Sequence, residues 1–137
     1  MGSKSHPESP IKTVDSGSLQ RLTTVEVVGL SLAAFTGLVH FYMAYEELAE
    51  PMESLVFLLA GAGFFLGIAL YLRGIWPRWL FLAGVAYTGV QIPLWVIEGM
   101  EEFAVGAVDK LAQLALVLLL LYAYSQSRSV QAAKTTE

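Results

Sequence analysis

The chain has 137 residues, 55% of them hydrophobic and 15% charged, with a formal net charge of -4 and a mean hydropathy of +0.59. A water-soluble domain this small needs more charge to cover its surface, so the composition points to an integral membrane protein. Four apolar stretches of roughly 20 residues, each able to cross ~30 Å of hydrocarbon, leave only tails and turns, with no room for a separate catalytic domain, a soluble nucleotide-binding fold or a basic nucleic-acid reader.

The chain contains no cysteine, which removes disulfides, thiolate metal sites, iron–sulfur ligation and thiol nucleophiles together. Residues 1–22 form a polar tail without the short apolar core and small residues of a cleavable signal, so the first span is expected to act as its own insertion signal. That span covers about residues 25–45 and follows Thr23 and Thr24, either of which suits a helix N-cap. Glu46, Glu47 and Glu50 come next. Pro51 then opens the second span, about 52–72, at a position where its missing N–H does no harm.

Arg73, Gly74, Pro77 and Arg78 make a turn with two cations. The third span, 79–97, contains Pro93, which deprives the Gly89 carbonyl of its donor and predicts a kink between them. Glu98, Gly99, Glu101 and Glu102 end it. A fourth span covers 103–124, and 125–137 reads as a second polar tail.

Short connections make consecutive helices antiparallel neighbours, which predicts an all-α, four-helix, up-down-up-down bundle over residues 23–124. Lys4, Lys12, Arg21, Arg73, Arg78, Arg128 and Lys134 fall on one side of it, seven of the eight cations. The positive-inside rule then places both tails and the middle turn in the cytoplasm of a multi-pass cell-membrane protein. Glu46, Glu47, Glu50, Glu53, Glu98, Glu101, Glu102 and Asp109 give the opposite face an acidic character.

Small residues recur at Gly29, Ala33 and Gly37 and at Ala60, Gly63 and Gly67, stripes that predict close helix approach. His40 shares a face with Thr36 and Gly37 and so should point into protein, with Glu47 two turns beyond it. Gly84, Thr88, Gln91, Trp95 and Glu98, spaced four, three, four and three apart, form one stripe on the third helix. Asp109 and Gln113 share a face of the fourth.

Counted from the outer helix ends, His40, Gln91 and Gln113 lie on the order of 10 Å deep, with Glu47, Glu98 and Asp109 above them. These residues and Thr88 are expected to form a polar pocket in the outer half, closed below by Leu116 to Leu121. Interhelical hydrogen bonding alone is the competing explanation for such residues. No catalytic residue is assigned, because there is no His-Glu-x-x-His pair, tandem histidine or nucleophile motif. Nor is a cofactor: haem would need a second axial ligand beside His40, such as Met43, Met100 or a residue of another chain.

The segments Gly37-Leu38-Val39-His40-Phe41-Tyr42, Tyr87-Thr88-Gly89-Val90-Gln91 and Val108-Asp109-Lys110-Leu111-Ala112-Gln113 resemble those of small four-helix membrane proteins of halophilic archaea. The resemblance implies a membrane fold and carries no assigned activity. The leading expectation is a non-enzymatic accessory or structural subunit in the lipid bilayer, as a homo-oligomer or part of a larger membrane complex. The alternative is transport or sensing of a cation, proton or small polar ligand through the outer pocket.

Overall fold

Thr23 and Glu26 begin the first helix with a capping box. The Glu26 amide donates to the Thr23 hydroxyl at 3.3 Å, and the Thr23 amide donates back to the Glu26 carboxylate at 2.6 Å. Helix α1 (Thr24–Glu46) is followed by α2 (Pro51–Leu72), which has Pro51 in its first turn. The Ser54 hydroxyl donates to the Ala44 carbonyl at 2.7 Å and ties the two ends together.

Helix α2 ends in a Schellman motif on Gly74, whose φ of +70° a side chain would strain. The Gly74 and Ile75 amides donate to the carbonyls of Tyr71 and Leu70. Helix α3 (Trp79–Ile97) runs as one helix through Pro93 and closes the same way on Gly99 at φ +95°. Here the Gly99 and Met100 amides donate to Val96 and Trp95.

The computed structural model describes residues 22–135, with side chains described to Arg128. Most of the polar segment 1–22, including Lys4, Lys12 and Arg21, and the side chain of Lys134 fall outside the described residues. All regular structure among the described residues is helical, and four helices are each long and apolar enough to cross a membrane. The last, α4 (Phe103–Thr135), does not stop near Tyr124, where the apolar sequence ends. No glycine or proline follows Tyr124 to break it, and Arg78 holds its extension with a 3.2 Å bond to the Ser127 hydroxyl and its guanidinium 4.1 Å above the Tyr124 ring.

The hairpin α1–α2 packs against α3–α4 through α1 and α4, while the α2 and α3 backbones stay apart. The bundle is thus an open ring with a seam between α2 and α3. Side chains bridge that seam: the Tyr87 hydroxyl donates to the Ala60 carbonyl at 2.6 Å, and its ring meets Phe64 edge-on at 5.3 Å. Near the α2–α3 turn, Tyr71, Trp76 and Phe81 form a chain of edge-on rings. Tyr71 also donates a hydrogen bond to Glu26.

The small-residue stripes divide in two. A Cβ at Gly37 would approach the Phe65 ring to 2.8 Å, and one at Gly63 would collide with Tyr87. Gly29 and Gly67 instead face open space. Gly61, outside those stripes, is pressed by both side chain and backbone of α1: a Cβ there would lie 2.6 Å from Phe41 and 2.9 Å from the Gly37 carbonyl oxygen. Phe41 and Phe65 stack beside it, 5.4 Å apart. Gly61→Ala should therefore cost about 1–3 kcal/mol by overpacking, whereas Gly67→Ala should stay within about 0.5 kcal/mol of the wild type. Reversible unfolding of the two variants in mixed detergent micelles checks the contrast.

Candidate functional site

The buried side chains are mostly polar. Thr36, His40, Thr88, Asp109 and Gln113 are buried, against three buried hydrophobic residues, Ala44, Phe64 and Leu116. In hydrocarbon such groups are costly unless they are bonded to one another or to backbone.

On α1 the His40 ring nitrogen Nδ1 lies 2.8 Å from the Thr36 carbonyl. A carbonyl only accepts, so Nδ1 carries the proton, and in the neutral ring Nε2 is left as an acceptor. Phe57 and Phe64 of α2 flank the imidazole at 6.1 and 5.7 Å. Gln91 and Asp109 approach it from α3 and α4.

The α3–α4 contact is an amide–carboxylate chain. Gln113 donates through Nε2 both to Gln91 Oε1 at 3.1 Å and to Asp109 Oδ2 at 2.8 Å. Gln91 in turn donates to the Tyr87 carbonyl at 3.0 Å. Lys110 Nζ lies 3.0 Å from the same Asp109 Oδ2, so the buried carboxylate has a counter-charge. Asp109 Oδ1 and Gln113 Oε1 are buried without a hydrogen-bonding partner.

His40, Gln91, Asp109 and Lys110 line a cavity of about 350 Å³, and Glu47 and Glu98 stand on its wall nearer the helix ends. Gln113 sits behind the wall and orients Gln91 and Asp109. Thr88 lies elsewhere: one turn deeper than Gln91 on the same face, it lines a second cavity of about 400 Å³. That second cavity corrects the expected solid floor. Leu116, Leu119 and Leu120 form only one of its walls, and it remains open because Gly29 and Gly67 lack side chains where α2 and α3 stay apart. Buried Phe64, Thr88 and Leu116 occupy its end nearest the polar cavity.

Sequence reasoning missed several wall residues. Phe57 sits in an unbroken apolar run that gives no signal for it. Trp95 was visible only as a member of the α3 stripe; in the fold its indole lies against Gly106, where a Cβ would come within 2.5 Å of Nε1. The same Nε1 donates to the Glu101 carbonyl at 3.1 Å, fixing the ring across the α3–α4 turn. Glu53 and Glu101, read from sequence only as surface charge, also line the cavity. No group of three or more histidine, cysteine or carboxylate ligands suited to a metal ion occurs among the described residues.

Gln113→Leu removes two hydrogen bonds at once and leaves Gln91 Oε1 unpaired, so it should destabilise the fold by about 1–3 kcal/mol. A double-mutant cycle with Gln91→Leu should return a coupling of about 0.6 kcal/mol, and no more than about 1.7 kcal/mol, the range found between polar side chains in membrane helices. Detergent unfolding of the four proteins measures it.

No curated protein and no solved structure matches the chain. A family profile matches over residues 13–124, a range that holds all four apolar runs and every residue of the polar cavity. The chain therefore belongs to DUF7475, a family of unknown function.

Proposed function

We propose that the protein is a multi-pass integral membrane protein that takes a cation, proton or small polar ligand into the pocket around His40, Gln91 and Asp109, for transport or sensing. The observation that carries this reading is the convergence of three helices' polar side chains on one cavity of about 350 Å³. Interhelical hydrogen bonding by itself needs no cavity.

The positive-inside rule sets the orientation: the Arg73–Arg78 turn and both chain ends face the cytoplasm, and the pocket opens outward. Glu47, Glu53, Glu98 and Glu101 then give the outer opening a negative potential that concentrates cations and repels anions. An acidic exterior also suits a saline environment, in line with the likeness to proteins of halophilic archaea.

The seam between α2 and α3 favours a second reading, an accessory subunit that seats a neighbouring membrane helix there. Co-purification of a stoichiometric partner from native membranes, with no ligand response, would select it.

The absence of native cysteine makes the orientation directly measurable. Leu48→Cys and Ile75→Cys place single thiols at positions 64% and 57% exposed, in the α1–α2 and α2–α3 turns. A membrane-impermeant maleimide applied to intact cells should label the first, and the second only after permeabilisation. In proteoliposomes, proton or monovalent-cation flux should fall at least about tenfold, ~1.4 kcal/mol in barrier, in His40→Leu and Gln91→Leu. Flux and ligand binding both absent from the wild type would defeat the pocket reading.

A further inference from the structure

The apolar cavity under Thr88 is separate from the polar pocket, and its shape restricts what can fill it. It holds about 400 Å³ in the half of the α2–α3 seam next to the turn that joins those helices. Leu30 and Ala33 of α1 and Leu119 and Leu120 of α4 form its back wall. The edge-on rings of Tyr71, Trp76 and Phe81 close it toward the turn, and Phe64 with Tyr87 closes the other end. The side is open. Leu66 of α2 and Ala83 of α3 line the cavity and are exposed on the outer surface, so a guest enters from the surrounding hydrocarbon.

An apolar void forfeits the contacts of its lining and stays dry, so a hydrocarbon guest is favoured over water. A helix is too wide. At ~10–12 Å across, a neighbouring helix can lie along the outside of the seam, but it cannot enter where the Tyr87 hydroxyl reaches the Ala60 carbonyl at 2.6 Å. A single lipid chain is thinner and has the right length. From Leu72 to Phe64 α2 rises about 12 Å at ~1.5 Å per residue, close to the ~15 Å that is half the ~30 Å hydrocarbon thickness. A tail from the leaflet that holds the turn therefore ends at the Tyr87 bridge without crossing it.

Charge selects the headgroup. Arg73 directly follows α2 and Arg78 directly precedes α3, so the two flank the open side at its membrane-surface end. Arg78 bonds Ser127 through Nε alone, which leaves its two terminal amino groups, and the contact brings exposed Arg128 to the same end. No carboxylate pairs with these arginines among the described residues. Helix α3 starts without a side-chain cap, so the positive end of its dipole faces the same surface. Glu26 is the one carboxylate on the cavity, and it lies on the back wall with its oxygens already accepting from Thr23 and Tyr71.

We propose that this half of the seam is a lipid site, which takes one hydrocarbon chain of an anionic phospholipid and holds its phosphate beside Arg73 and Arg78. The site rests on the membrane reading and not on the polar pocket. Gly29 and Gly67 keep it open, because a Cβ at either would meet nothing within 4 Å.

The test is native mass spectrometry of the full chain released from detergent micelles that contain dioleoylphosphatidylglycerol and dioleoylphosphatidylcholine in equal amounts. The wild type should retain one phosphatidylglycerol per chain, at least about tenfold over phosphatidylcholine, the scale set by two arginines at a membrane surface. Gly67→Leu fills the cavity and should lower that retention at least about tenfold without lowering its stability to detergent unfolding; Gly29→Leu does the same from the opposite wall. Arg73→Gln combined with Arg78→Gln should bring phosphatidylglycerol down to the phosphatidylcholine level. The headgroup comparison on the wild type stands whether or not these variants fold.

Equal retention of the two lipids by the wild type would overturn the proposal, since the arginines would then select nothing. So would full retention in folded Gly67→Leu and Gly29→Leu, which would put the lipid outside the seam. A second copy of the chain or another protein in the same spectra, displaced by Gly67→Leu in place of lipid, would assign the seam to a protein helix and overturn it as well.

Discussion

The structure depends on an inversion of the usual solvent relation. Leucine, valine, isoleucine and aromatic side chains cover the outside, many of them 40–79% exposed, while the largest fully buried side chains are Gln113, Thr36 and Thr88. A surroundings of hydrocarbon resolves this arrangement, because apolar side chains then need no burial and unpaired polar groups do. The backbone satisfies itself within the helices. What remains is to satisfy the side chains that are not apolar, and these draw α1, α3 and α4 together at one level.

That level is organised around Asp109. A carboxylate in the second turn of α4 is tolerable because Lys110 supplies charge and Gln113 supplies a donor one turn further on. Gln113 reaches across to Gln91 with its other proton, so the carboxylate also positions the α3 amide. His40 approaches from α1 with its orientation already set by its own helix, through the Thr36 carbonyl. The site is thus built from side chains on three rigid helices, which hold it more firmly than loops would.

Much of this could be read before any coordinates. Helix ends are encoded locally: Thr23 with Glu26 three residues on, Pro51 inside a start, and Gly74 and Gly99 just past the ends all carry their own backbone chemistry. The 4-3-4-3 spacing on α3 identifies one face, and helical rise puts Gln91 and Gln113 at a common level, where they meet in a 3.1 Å hydrogen bond. Periodicity does not say how closely two faces approach, so the α2–α3 seam and the cavity under Thr88 were illegible. Gly61 shows the same limit from the other side. A Cβ there would meet both the Phe41 ring and the Gly37 backbone, yet it looks like any other small residue in the run from Ala60 to Gly63. The helix runs on beyond Tyr124 because nothing in that polar segment breaks one, and polarity alone does not tell an exposed helix from a coiled tail.

The polar cavity persists because Trp95 is kept on its wall and out of its centre. The α3–α4 connection places Gly99, Met100 and Glu102 in the left-handed region, at φ +95°, +57° and +47°. For the two non-glycine residues that conformation costs about 1–2 kcal/mol each. The turn this produces brings the Glu101 carbonyl to the Trp95 indole N–H and lays the Nε1 edge of the ring against Gly106. Any side chain at 106 would displace the indole, and the Phe103 ring stacks on it at a centroid distance of 6.0 Å. The volume beside Asp109 is therefore maintained by one missing side chain and one strained turn, neither of which belongs to the hydrogen-bonded network itself.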